Sequence, residues 1–289
     1  MPKLQLPFMQ VDVFSTQTDP ILSGNPLAVF YDVSPFLDGS TMQAIAREMN
    51  CPETTFVTEN PQDGEEYHVR IFTPYKELPF AGHPTLGTYF VLREKGLLSG
   101  PGVQTSEAGG TLCSQDDQGW VWIVPPQGHV RDVLVSATRL ASAFGVGDIY
   151  LNDMMPPAVC GTGLDQLVVL SSNAEILSDL QPLPSRLTSL QKDMVVEGIY
   201  VVAMVGPTTY QARYFSQEGE DPATGSAAAG LGTYLMHSAG ETAIRRYIIS
   251  QGTEVGRSSE IHLRLNDLSQ GSLELGGRVL PVIDGLFYV

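Results

Sequence analysis

Arg70-Ile71-Phe72, followed by Gly82-His83-Pro84-Thr85-Leu86-Gly87-Thr88-Tyr89, is echoed by Arg213-Tyr214-Phe215, followed by Asp221-Pro222-Ala223-Thr224-Gly225-Ser226 and Leu231-Gly232-Thr233-Tyr234. The offset is 143 residues at the arginines and 145 at the Leu-Gly-Thr-Tyr repeats, about half of the 289-residue chain. A repeated tetrapeptide alone arises by chance in a chain of this length. Two echoes in one order at nearly one offset indicate two similar halves. Each half then carries a strand, a loop and a helix N-terminus, and a ligand is expected between two such domains.

Outward from this repeat, the first half alternates strand-like runs with helices. Val11 to Phe14 and Leu27 to Phe30 flank a Ser23-Gly24-Asn25-Pro26 turn, a hairpin pattern. Met42, Ile45, Ala46 and Met49 at helical spacing predict a helix over Ser40–Met49. Thr54 to Thr58 and Tyr67 to Phe72 are rich in β-formers. A second helix runs from about Thr85 to Lys95 and stops at Gly96. Gly and Ser crowd Ser99 to Gly110, and Pro125-Pro126-Gln127-Gly128 follows an apolar strand; a domain boundary belongs in this region. The second half repeats the theme, with strands at Leu167–Leu170, Ile199–Val205 and Tyr210–Phe215. Helices are expected near Leu183–Met194 and from Thr224 to about Met236, and further strands close the chain. Arg47-Glu48-Met49 and Lys192-Asp193-Met194 lie 145 residues apart and extend the repeat. The expected domains are 1–120 and 121–277.

With 43% hydrophobic and 17% charged residues, the chain can bury cores and is not of disordered composition. The formal charge of −16 argues against nucleic-acid backbones and anionic membranes as partners. Cys51, Cys113 and Cys160 are odd in number and far apart, which disfavours a disulfide framework or a zinc knuckle. The N-terminal stretch has no apolar core of a signal peptide, and no run approaches about 18 apolar residues. A cytoplasmic protein is expected.

The chemistry is concentrated at the two loop-to-helix junctions. Backbone N–H groups at a helix N-terminus favour an anion, and glycine lets a ligand approach the backbone. Gly82 in the first junction, and Gly225 with Ser226 in the second, suit a carboxylate better than a triphosphate, because no Gly-Lys-Ser/Thr sequence is present. The same residues are also what ordinary helix caps require. His83 is the one histidine inside such a motif; with Asp221 it makes a candidate pair for orienting or protonating a substrate. Glu53 follows Pro52 and precedes a β-run expected to be buried. It reads either as an exposed turn residue or as a carboxylate in a partly apolar pocket that can take and return a proton. Cys51 has no basic companion and is expected to be packed. Gln251-Gly252 with Gly256-Arg257-Ser258 reads as a turn, in which Arg257 could hold a carboxylate or make a structural pair. No metal-binding spacing is present.

Ser23-Gly24-Asn25-Pro26-Leu27-Ala28-Val29, Pro52-Glu53-Thr54-Thr55-Phe56-Val57, Glu77-Leu78-Pro79-Phe80-Ala81-Gly82-His83-Pro84-Thr85 and Glu220-Asp221-Pro222-Ala223-Thr224-Gly225-Ser226-Ala227, in that order, resemble the phenazine-biosynthesis PhzF-like family. Gln251-Gly252 and Gly256-Arg257 extend the match, although Ser258 stands where the family often has proline. The resemblance implies an α+β, diaminopimelate epimerase-like fold. Its two pseudo-symmetric domains each wrap a sheet around a central helix, and a C-terminal strand at about 278–289 returns to the first domain. It further implies a homodimer and a cofactor-independent isomerase acting on a small cyclic amino- or hydroxy-substituted carboxylic acid. Glu53 would move the proton, and His83 and Asp221 would bind and polarise the substrate. Gly225 and Ser226, helped by Gly82, would hold its carboxylate. Two alternatives stay open: an epimerase or racemase using Glu53 and Asp221 where relatives use two cysteines, and a non-catalytic small-molecule binder.

Overall fold

Strand-rich segments dominate the computed structural model, which describes residues 4–16, 22–33, 37–62, 65–239, 245–265 and 272–289. Met1, Pro2 and Lys3 of the N-terminal reading lie outside these. The chain divides into two compact units, 1–124 with 276–289, and 125–275. Both are α+β.

In the first unit, β1 (Gln5–Val13) and β2 (Asn25–Phe30) pair antiparallel. Helix α1 (Gly39–Met49) crosses to β3 (Glu53–Gln62), parallel to β2, and β4 (Glu66–Phe72) returns antiparallel. The short β5 (Glu77–Leu78) leads into α2 (Gly82–Glu94). Then β6 (Gly102–Ser106) runs parallel to β4, and β7 (Gly109–Gln115) and β8 (Val121–Ile123) follow by antiparallel steps. The final strand of the chain, β18 (Val279–Tyr288), pairs with β1.

The second unit comprises β9 (His129–Asp132), α3 (Ala137–Ala143), β10 (Ala158–Gly161), β11 (Asp165–Ser171), α4 (Ile176–Asp179) and α5 (Pro184–Met194). There follow β12 (Gly198–Gly206), β13 (Thr209–Ser216), β14 (Gly219–Asp221), α6 (Gly225–Ala239), β15 (Arg245–Gln251) and β16 (Ser259–Leu265); the unit boundary falls within β17 (Leu273–Gly277). Its pairings repeat those of the first unit. β9, β10 and β11 are antiparallel neighbours, β11 and β12 are parallel, and β12, β13 and β14 are antiparallel. β13 and β15 are parallel, and β16 returns antiparallel. The duplication therefore extends from the repeated tetrapeptide to the strand pairings. The strand beside β1 is β18 from the far end of the chain, however, whereas the one beside β10 is the preceding β9, and α3 and α4 belong to the second unit alone. Even the helix ends agree: α1 and α5 stop at left-handed residues, Asn50 (φ 52) and Val195 (φ 57), again 145 positions apart.

Residues Gly82 through Tyr89 of α2 are all buried, and the helix touches β1, β2, β3, β6, β7, β8 and β18. A helix enclosed on all sides cannot carry a polar face, which is why this one shows no amphipathic stripe. A Cβ on Gly87 would lie 2.5 Å from Leu27 Cδ2 and 2.9 Å from Val13 Cγ2, so the missing side chain lets helix and sheet meet at backbone range. On the opposite face, Met42, Ile45 and Ala46 of α1 cover an aromatic run in which Phe30, Phe56 and Phe72 are in ring contact. The second unit packs Leu140, Leu187 and Leu190 over Val169, Ile199, Val201 and Phe215. There α6 meets β9, β10, β11 and β16.

Three expectations shift. Helix α2 begins at Gly82 instead of Thr85, because proline is tolerated in a first turn; His83 is thereby a helical residue. Asn25 and Pro26 belong to β2, and the turn is made earlier by Gly24 (φ 77), where a Cβ would sit 2.3 Å from the Val13 carbonyl oxygen. The Gly- and Ser-rich stretch after Ser99 forms the β6–β7 hairpin, with Ser106 opposite Gly109. Among the described residues, no helix is long and apolar enough to cross a membrane.

Candidate functional site

Glu53 opens β3, in register with Leu27 on β2, and His83 lies in the first turn of α2. The strand and the enclosed helix bring His83 Nε2 within 3.2 Å of Glu53 Oε2, with side-chain exposures of 6% and 17%. The approach is close but not aligned as a hydrogen bond, and Nε2 has no hydrogen-bond partner. The imidazole instead bonds the Pro26 carbonyl. A carbonyl only accepts, so the ring's single N–H sits on Nδ1 and Nε2 carries the lone pair. Burial pushes the His83 pKa down to about 3, against a smaller opposing pull from the Pro26 bond. The residue is therefore neutral near pH 7, and its contact with Glu53 is a carboxyl beside a lone pair, not an ion pair. Such a pair can store one proton and give it up.

The first turn of α2 is pinned by side chains that sequence reasoning passed over. Gln104 Nε2 donates to Thr85 Oγ1 (2.9 Å), and Thr85 Oγ1 donates to the Ala81 carbonyl (2.9 Å). Thr55 and Thr88 hydroxyls, 2.8 Å apart, tie β3 to the helix. Gly82 is the first residue of the helix, and the N-cap Ala81 supplies no side-chain acceptor. Its first turn carries no acidic residue of its own, so the positive end of the dipole faces groups brought from elsewhere in the unit.

In the second unit, Asp221 ends β14 opposite Tyr214, and its Oδ2 accepts from Thr224 Oγ1 at 2.5 Å. Gly225 opens α6 and is buried; Ser226 beside it is half-buried. The loop between them is held from β15. Gln251 Nε2 donates to the Asp221 carbonyl (2.8 Å) and to Thr224 Oγ1 (2.9 Å), and Gln251 Oε1 accepts from the Thr224 amide (3.3 Å). Ser259 Oγ donates to the Pro222 and Gln251 carbonyls (3.0 and 3.1 Å). Gly252 (φ 84) has no room for a side chain: a Cβ would fall 2.4 Å from the Pro222 carbonyl oxygen. The Arg257 amide donates to the Gly252 carbonyl (2.9 Å), closing the turn read from the Gly252 and Gly256 spacing. Gln251 was visible in that pattern only as a turn residue; its side-chain role has no signature in spacing. Tyr200 on β12, opposite Tyr214, has its phenol pKa raised, first by burial and then by the charge of Asp221.

The structure thus gathers Glu53, His83 and Gly82 within the first unit, and Asp221, Gly225 and Ser226 within the second. The position equivalent to Glu53 in the second unit is Gly198, where a Cβ would lie 2.2 Å from the Tyr214 ring. Tyr214 donates there to Gln166 Oε1 (2.7 Å). Cys51, Cys113 and Cys160 are buried and form no disulfide among the described residues, and burial pushes the thiols of Cys113 and Cys160 up to about 12, so neither is a nucleophile.

The chain matches the family model of phenazine biosynthesis-like proteins, PhzC-PhzF, over residues 11–285. It is 30% identical to antisense-enhancing sequence 1 of Schizosaccharomyces pombe, over 98% of each chain. It is 31% identical to trans-2,3-dihydro-3-hydroxyanthranilate isomerase of Pseudomonas aeruginosa, covering 98% of this chain and 99% of that one. A solved PhzF-family structure from Bacillus anthracis is similar at a TM-score of 0.86 and 22% identity, over 99% of this chain and 100% of that one, a likeness that shows the fold. The arrangement is the diaminopimelate epimerase-like one that the sequence resemblance implied. With a family match spanning nearly every described element, this chain belongs to the phenazine biosynthesis-like family and is an isomerase of that family.

Proposed function

We propose that the chain catalyses a cofactor-independent isomerisation in which Glu53 moves a proton between carbons of a small cyclic amino- or hydroxy-substituted carboxylic acid. The observation that carries this reading is the Glu53 carboxyl, largely shielded from water, 3.2 Å from the lone pair of a neutral His83. A carboxylate removed from water is a stronger base toward an activated C–H, and a carboxyl that stays in place can return the proton to a neighbouring carbon. The name of the Pseudomonas aeruginosa relative supports a dihydro-hydroxyanthranilate-like substrate. His83 and Asp221 bind and polarise the substrate's amino and hydroxyl region. Gly225 and Ser226 at the start of α6, with Gly82 at the start of α2, hold its carboxylate through helix N-terminal amides.

Incubation of trans-2,3-dihydro-3-hydroxyanthranilate with the enzyme in deuterated water, followed by NMR, tests the reading. The expected product has its double bonds shifted and a transferred or solvent-derived hydrogen at one ring carbon. Glu53→Gln should lower kcat by about 10³-fold, within the range for loss of a general acid–base. A Glu53→Gln enzyme with wild-type rate overturns the proposal. A product that differs only by inversion at one carbon replaces isomerisation with epimerisation.

The same proposal has the enzyme working as a cytoplasmic homodimer. Three buried cysteines outside any disulfide support a reducing compartment, and the exposed apolar side chains Val282, Ile283, Leu286 and Tyr288 of β18 support a partner surface. Light scattering that returns the mass of one chain at micromolar concentration removes the dimer.

A further inference from the structure

The orientation of the Gln251 amide is decided by its neighbours. The Thr224 amide can only donate, so the group facing it is Oε1; the Asp221 carbonyl can only accept, so the group facing it is Nε2. The second Nε2 hydrogen is then directed at Thr224 Oγ1, 2.9 Å away. Thr224 Oγ1 already accepts that hydrogen, and its own proton points along the 2.5 Å bond to Asp221 Oδ2. A contact this short is typical of a hydroxyl donating to a charged oxygen. The direction of every bond in the series Gln251, Thr224, Asp221 is therefore fixed by two backbone groups.

We propose that Gln251 is a positioning residue for Asp221, acting through the Thr224 hydroxyl to set the carboxylate's rotamer and to keep Oδ2 an acceptor. Gln251 is 2% exposed, and its amide meets the loop at the Asp221 carbonyl, the Thr224 amide and the Thr224 hydroxyl, so its only route to the Asp221 carboxylate by side-chain bonds runs through Thr224 Oγ1. Gly252 and Ser259 complete the device: the first lets β15 pass against the Pro222 carbonyl, and the second anchors that carbonyl and the one of Gln251. The inference rests on the reading of Asp221 as a substrate-binding group, and it separates from that reading experimentally.

The first test needs no substrate. In carbon-13-labelled protein at pH 7, the Asp221 carboxyl resonance should move in Thr224→Val, move in the same direction in Gln251→Met, and stay in place in Thr224→Ser. A resonance that moves in Thr224→Val but not in Gln251→Met ends the series at Thr224 and overturns the role of Gln251. The second test is kinetic, with trans-2,3-dihydro-3-hydroxyanthranilate. Thr224→Val and Gln251→Met should each lower kcat/KM by about 10-fold, and the double variant by about 10-fold again in total, not 100-fold, because both break one series. Multiplying effects overturn the coupling. Asp221→Ala with unchanged kcat/KM would instead sink the placement of Asp221 in the substrate site, and leave the carbon-13 result standing by itself.

Discussion

His83 refuses a proton in the folded protein that it accepts in the unfolded chain. Its folded pKa lies near 3, and burial is the cause; an unfolded imidazole titrates near 6.5. The folded value is the lower one, so between these limits the unfolded state binds more protons and is favoured as pH falls. The residue costs nothing above about pH 6.5, and each unit below that removes about 1.4 kcal/mol of stability until the folded pKa is reached. His83→Asn should therefore flatten the acid side of the stability profile. Urea unfolding between about pH 6.5 and 4 checks this, and parallel curves for the two proteins would show that His83 charges without unfolding. The same burial explains why this site was only half legible. The motif around His83 was plain in the chain, but the choice between an exposed Glu53 and a shielded one depends on β2 and α2 closing over it, which no local pattern encodes.

Two hairpins, β4–β5 and β13–β14, carry the same clamp in different surroundings. Arg70 forks onto Glu77 with two bonds of 2.7 Å and lies over Phe72; Arg213 forks onto Glu220 at 2.7 and 2.6 Å and lies over Phe215. The first pair is about one-third exposed (31% and 37%), the second nearly buried (7% and 13%). Arg213 also donates to the Leu177 and Leu180 carbonyls (2.6 and 3.0 Å), so it ties the end of α4 to the strand that delivers Asp221. Removing Arg213 strands a buried carboxylate and two carbonyls, and Arg213→Met should cost about 3–5 kcal/mol. Arg70→Met should cost about 1 kcal/mol or less, since water replaces the guanidinium. Denaturant unfolding of the two variants checks the contrast; equal losses would mean that burial does not set the strength of the clamp. The arginines and phenylalanines of this device stood out as a repeat. Their glutamate partners, seven residues downstream, come within reach of the arginines only when the hairpin folds back, and no local pattern in these strand segments announces that.

Across the whole molecule, duplication was the most legible property, because it preserves order and spacing even where residues change. The crossover helices, the parallel pairings and the left-handed helix ends all follow it. Short strands such as β5 and β14, two and three residues long, were not legible, since so few residues carry no periodicity. The chemistry is distributed unevenly over this even frame: Glu53 and His83 in one half stand against Gly198 and Ala228 in the other. That inequality is self-locking. An acid introduced at 198 meets the ring of Tyr214, while a small residue introduced at 214 empties the space and leaves Gln166 without its phenol donor. Each single change leaves either a clash or an orphaned amide, so an acid could stand at 198 only if 198, 214 and 166 changed together.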